Sequence, residues 1–152
     1  MKKFFKNIVV VILVSAVFHT LWEYLAFEMF YSTSLGSSYF NSMLIAVATD
    51  IGITVVLYIL LSLLNRRVNW IIKRWDCKDF AIMILYGLFL SFYLEVQALN
   101  IGRLTYSKLM PLFPGTNIGL IPVIQFVVLF PLTFIISKLI LKVVYRNDRN
   151  IF

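Results

Sequence analysis

Four stretches of this chain run for about twenty residues or more with almost no formal charge, which leaves it few ways to fold. They cover about residues 5–30, 43–64, 80–99 and 118–142. A helix needs about 20 apolar residues to cross ~30 Å of hydrocarbon. Hydrocarbon offers no partner to a free backbone N–H or C=O, so an isolated spanning segment must be helical. Of the 152 residues, 61% are hydrophobic and 14% charged, against about 45–50% and about 25% in soluble domains. The expected fold is an all-α membrane protein. It is a four-transmembrane-helix bundle forming one integral membrane domain over residues 1–152, with the lipid bilayer as its first partner.

Lys2, Lys3 and Lys6 ahead of an apolar run could also open a signal peptide, with Val14-Ser15-Ala16 as its cleavage site. Apolar character continues through Leu21, Trp22, Leu25 and Phe30, however, well past the about 7–15 residues of a cleavable segment. A retained first helix is therefore expected.

The net charge of +7 raises the question of nucleic acid, and its placement answers against it. Lys2, Lys3 and Lys6, then Arg66, Arg67, Lys73, Arg74 and Lys78, then Lys138, Lys142, Arg146 and Arg149 all flank spans. Only Arg103 and Lys108 fall in the 100–117 connection. With an even number of spans the positive-inside rule predicts both termini in the cytoplasm, as a multi-pass protein of the cell (inner) membrane. Residues 65–79 mix five bases with Val68, Trp70, Ile71, Ile72 and Trp75, and predict a short amphipathic segment in the cytoplasmic interface with Trp at headgroup level. The 100–117 connection is the longer outer loop, and Pro111, Pro114 and Gly115 argue against helix there. Pro122 and Pro131 are expected to break or kink the fourth helix.

Polar residues inside hydrocarbon are costly and by default mark function. His19 and Glu23 are one turn apart on one helical face. Ser15, His19, Glu23 and Ala26 make one stripe, Ala46, Asp50, Thr54 and Tyr58 a second, and Ser91, Glu95 and Ala98 a third. Glu28 points away from Glu23 and is expected to snorkel. Counting from the helix ends at ~1.5 Å per residue puts His19, Glu23, Asp50, Glu95 and Gln125 at one depth in the outer leaflet. The inner half holds milder interruptions (Tyr58, Ser62, Tyr86, Thr133 and Ser137). A loose match of Glu23-Tyr24-Leu25-Ala26 to Glu95-Val96-Gln97-Ala98 hints at duplicated helical hairpins.

Three carboxylates brought together share protons, as acid/base chemistry or proton coupling requires. Glu23, Asp50 and Glu95 are therefore the candidate catalytic residues. His19, Arg103, Tyr106 and Gln125 are candidates for substrate binding, with Arg103 gripping a headgroup. One histidine and a lone cysteine, Cys77, make a poor metal set, so no metal is expected. Nothing in the pattern names a cofactor. Gly115-x-x-x-Gly119 has helix-packing spacing but sits at a loop–helix junction. The leading reading is binding or processing of a lipid or lipid-linked substrate. A proton- or cation-coupled transporter, working as a homodimer, is the second. A non-catalytic assembly subunit is the third.

Overall fold

The inside of this molecule combines an apolar core around Leu57, Met83, Phe130 and Phe134 with buried polar side chains, while large apolar residues cover its outside. The computed structural model describes residues 2–32, 39–102 and 105–149, without the side chains at 2, 27, 28, 32, 39 and 147–149. Four helices account for most of it: α1 (Lys2–Phe30), α2 (Tyr39–Leu64), α3 (Cys77–Asn100) and α4 (Leu120–Arg149). Each is long and apolar enough to cross a membrane. Large apolar residues such as Leu13, Leu21, Leu63, Leu85, Phe89 and Val143 are exposed along their outer faces. The inward row of α1 is Asn7, Val11, Ser15, His19 and Glu23, four residues apart and all buried. That spacing is what a helix needs to hold one face inward, and the polar residues lie on it.

All four helices form where the apolar runs lie; the first three start about three residues early, and α4 starts two residues late and runs on to Arg149. Pro122 does not break α4, because it falls in the first turn where its missing N–H has no intrahelical partner to lose. Pro131 lies inside α4, which continues past it.

Neighbouring helices run in opposite directions. His19 meets Thr54 and Asn7 meets Tyr58 between α1 and α2. His19 meets Gln125 and Asn7 meets Tyr145 between α1 and α4. Gly87 brings α3 against α4 so closely that a Cβ there would stand 3.3 Å from the Phe126 carbonyl carbon. By contrast α2 and α3 touch little. They are bridged by the Tyr86 hydroxyl, which donates to Ile53 O at 3.4 Å. One end of the bundle holds both chain ends and the α2–α3 connection; the other holds the α1–α2 and α3–α4 connections.

The 65–79 segment is expected to be amphipathic with its Trp residues at headgroup level, and Trp70 instead turns inward. Before α3 begins at Cys77 only Trp70–Ile72 is helical, as a single 3-10 turn, and Trp70 and Ile71 are buried in the bundle end. The Trp70 indole donates to Tyr58 O at 3.2 Å, and its ring packs on Tyr58, Phe134 and Trp75. Once an indole N–H finds a carbonyl inside, its large ring gains more from packing than from the interface. Lys138 fastens the segment by donating to Lys73 O at 2.6 Å, with its ammonium over the Trp75 ring.

At the other end two dipeptides pair antiparallel, β1 (Tyr31–Ser32) with β2 (Thr105–Tyr106), setting Tyr31 opposite Tyr106. Ser107 continues this cap onto α1. Its N–H donates to Phe30 O at 3.0 Å and its hydroxyl to Met29 O at 2.8 Å. These are carbonyls that a helix C-terminus otherwise leaves unsatisfied.

Candidate functional site

The four polar residues of α1, α2 and α4 meet in one cluster beneath the two-stranded cap. Gln125 lies at its centre. Its Nε2 is 2.7 Å from Asp50 Oδ2, 3.2 Å from Glu23 Oε1 and 3.3 Å from His19 Nδ1. His19 Nδ1 is also 3.2 Å from Asp50 Oδ2, and its Nε2 is 3.3 Å from Thr54 Oγ1. All five residues are buried.

Hydrogen positions follow from counting donors. The Thr54 hydroxyl spends its only hydrogen on Asp50 O at 2.8 Å. Its oxygen can then only accept from His19, so the imidazole carries a proton on Nε2. Gln125 has two amide hydrogens for three acceptors, Asp50 Oδ2, Glu23 Oε1 and His19 Nδ1, and the two carboxylate oxygens, nearer and more basic, compete best for them. Nδ1 and Asp50 Oδ2 therefore face each other at 3.2 Å with no donor between them unless one more proton is present. The contact closes with that proton on either atom, as imidazolium–carboxylate or as imidazole–carboxylic acid. Reversing the Gln125 amide would aim its oxygen at two carboxylates. The arrangement is thus a proton-holding pair, His19–Asp50, locked by an amide that also holds Glu23.

Glu95 stands beside this group rather than in it. Tyr106 donates its hydroxyl to Glu95 Oε2 and accepts from the Gly119 N–H at 2.9 Å. Tyr31 packs on Tyr106 with ring centroids 6.0 Å apart. Both phenols are held well above the usual tyrosine range, chiefly by burial. The hydrogen bond to Glu95 adds to this for Tyr106, and the nearby charge of Glu95 adds to it for Tyr31. They stay neutral donors on the cap side of the cluster.

The residues read from the sequence fall into three groups. His19, Glu23, Asp50 and Gln125 converge, and Glu95 and Tyr106 form an adjoining pair. Arg103 and the Glu28 side chain lie outside the described residues, and Lys108 is exposed on the cap. Among the described residues no three His, Cys, Asp or Glu side chains are grouped to hold a metal; the Gln125 amide fills the point on which they converge. Sequence reasoning missed Tyr31 and Gly119. A Cβ at Gly119 would lie 3.2 Å from Tyr106 Cζ and 3.0 Å from Met110 Sδ, so glycine there lets the Tyr106 ring reach Glu95. It also missed a second network at the opposite end. There Asn7 Nδ2 lies 3.1 Å from both Tyr58 Oη and Asn69 Oδ1, and Tyr145 donates to Asn7 Oδ1 at 2.7 Å.

The chain matches no protein-family model, no curated protein and no solved structure. Its fold and site define it only as a multi-pass membrane protein of four apolar helices around a buried polar cluster.

Proposed function

We propose that the cluster is an acid/base site acting on a lipid or lipid-linked substrate in the outer leaflet. The observation that carries this is the His19–Asp50 contact, which needs a transferable proton, locked through Gln125 to Glu23. A group held this way can give or take a proton without reorganising its surroundings, as general acid/base chemistry requires. The weak α2–α3 seam supports access from the lipid side, since Asp50 and Glu95 lie on the two helices that flank it. Tyr106 and Tyr31 would orient a polar headgroup under the cap, with Arg103 gripping it. The distribution of Lys and Arg supports cytoplasmic termini, which puts the cluster in the outer half of the cell membrane.

Proton-coupled transport is the second reading. It is favoured by the buried polar residues that continue from the cluster toward the chain ends, from Ser15 to Asn7 on α1.

Carbodiimides test the first reading, because they modify protonated carboxyl groups. In the full-length protein in bilayers, an apolar carbodiimide should modify Asp50 or Glu95, as read by peptide mass. A charged, water-soluble carbodiimide should leave both unmodified. Labelling by the water-soluble reagent alone, or by neither, would overturn access from the lipid.

A further inference from the structure

Helical serines and threonines commonly return their hydroxyl to a carbonyl of the preceding turn. Thr49, Thr54 and Ser91 do so, to Ile45 O at 2.8 Å, Asp50 O at 2.8 Å and Leu88 O at 2.9 Å. Ser15, Thr133 and Ser137 do not. All three are fully buried, and among the described residues their hydroxyls meet no partner. Leaving a buried hydroxyl unpaired costs about 1–3 kcal/mol. Among the described residues the Ser62 hydroxyl and the Trp22 indole N–H are also without a partner, but the hydroxyls of Ser15, Thr133 and Ser137 lie on the two helices that face each other through His19 and Gln125.

Their positions form a line. Ser15 is one turn along α1 from His19, ~6 Å toward the chain ends. On α4, Thr133 and Ser137 are two and three turns beyond Gln125, at ~12 and ~18 Å. Asn7 lies three turns beyond His19, again at ~18 Å, where the Asn7–Tyr58–Tyr145 network begins. Successive rungs are therefore ~6 Å apart along the axis, close to two hydrogen bonds of ~2.8 Å through one water. The polar rungs alternate with buried apolar ones, Val11 between Ser15 and Asn7 on α1 and Leu129 between Gln125 and Thr133 on α4, so that each level holds a polar side chain from one of the two helices. Phe134 packs on Tyr58 of α2 and Phe130 on Tyr86 of α3, whereas Ser15 faces inward from α1. At the far end the Tyr145 hydroxyl, whose one hydrogen goes to the nearer Asn7 Oδ1, also lies 3.2 Å from Lys3 O.

We infer that the seam between α1 and α4 conducts protons between the His19–Asp50 pair and the end of the bundle that holds both chain ends, by way of Ser15, Thr133, Ser137 and the Asn7–Tyr58–Tyr145 network. The file passes protons and single waters, and at its far end the Lys6 ammonium lies over the Tyr145 ring, 5.4 Å from the centroid. It goes beyond the lipid reading and does not require it, because it concerns the route by which the pair exchanges its proton and not the chemistry done there.

The test uses the full chain in liposomes loaded with a pH dye, with valinomycin and a potassium gradient to drive protons. Wild-type vesicles should change internal pH faster than protein-free ones. The double variant Thr133→Val/Ser137→Ala should fall to the protein-free rate, and Thr133→Ser should keep the wild-type rate. Because the deleted hydroxyls are unpaired, the double variant should melt no earlier than wild type. A wild-type rate equal to that of protein-free vesicles, a double variant as fast as wild type, or a double variant that melts earlier would each overturn the inference. Carbodiimide labelling reads the cluster independently, so failure of proton flux leaves the lipid reading standing, and failure of labelling leaves the flux result standing.

Discussion

Replacing Gln125 by leucine removes the group on which the cluster converges while keeping nearly the same volume. No large cavity opens, so the cost is that of the lost hydrogen bonds. Gln125 donates to Asp50 Oδ2 at 2.7 Å and to Glu23 Oε1 at 3.2 Å, between helices far apart in sequence. Such bonds inside membrane proteins contribute about 0.6 kcal/mol on average and about 1.7 kcal/mol at most. Two of them predict a loss of about 1–3.5 kcal/mol, with the upper end favoured because both acceptors are left buried without a donor. Equilibrium unfolding in mixed micelles with increasing SDS measures it. The sharper reading is a double-mutant cycle with Asp50→Leu. Removing the orphaned acceptor should recover part of the loss, giving a coupling of about 1 kcal/mol or more. A Gln125→Leu protein as stable as wild type, or free energies that add within about 0.5 kcal/mol, would refute the clustered arrangement.

Three further outcomes follow from the same geometry. Gly119→Ala should displace the Tyr106 ring from Glu95, destabilise by about 1–3 kcal/mol as overpacking does, and match Tyr106→Phe in carbodiimide labelling of Glu95; unchanged labelling in either variant counts against the pair. Arg66 ends α2 with φ 51°, a left-handed conformation that costs a non-glycine residue about 1–2 kcal/mol, so Arg66→Gly should raise the melting temperature. Because the folded state holds the Tyr31 and Tyr106 phenols above their ordinary value of 10.0, the stability they lend is full below pH 10 and lost only as pH rises through the higher folded values. Tyr31→Phe and Tyr106→Phe should accordingly leave the tyrosinate absorbance of folded protein at pH 11 unchanged, and a fall in either would show that the phenol is free.

The four helices were legible because charge-free length is a strong signal, and a bilayer leaves the chain little alternative to helix. Four cluster residues were legible for a related reason. Each polar group in an apolar run is costly enough that depth alone could group His19, Glu23, Asp50 and Gln125. Glu95 was placed at the right depth, but its partner depends on how the 100–117 connection folds back, and loop geometry carries little periodic signal. Gly119 was weighed only as part of a helix-packing spacing and set aside because it sits at a loop–helix junction, whereas its role is to let one ring pass. The Trp70 segment was misplaced because an amphipathic pattern does not say whether lipid or protein takes its apolar face. The Asn7 network was hidden for another reason. Asn7, Tyr58, Asn69 and Tyr145 are unremarkable singly and become a network only when three helix ends and a loop meet.

The central claim is that His19 and Asp50 hold one proton between them while Nε2 donates to Thr54. His19 is the chain's one histidine, so labelling histidine with 15N gives a single-site signal in bilayers. The account predicts a protonated Nε2, an Nδ1 in a strong hydrogen bond, and a clear change in the Nδ1 resonance in Asp50→Asn. A bare Nε2, or an Nδ1 resonance indifferent to Asp50→Asn, would contradict it.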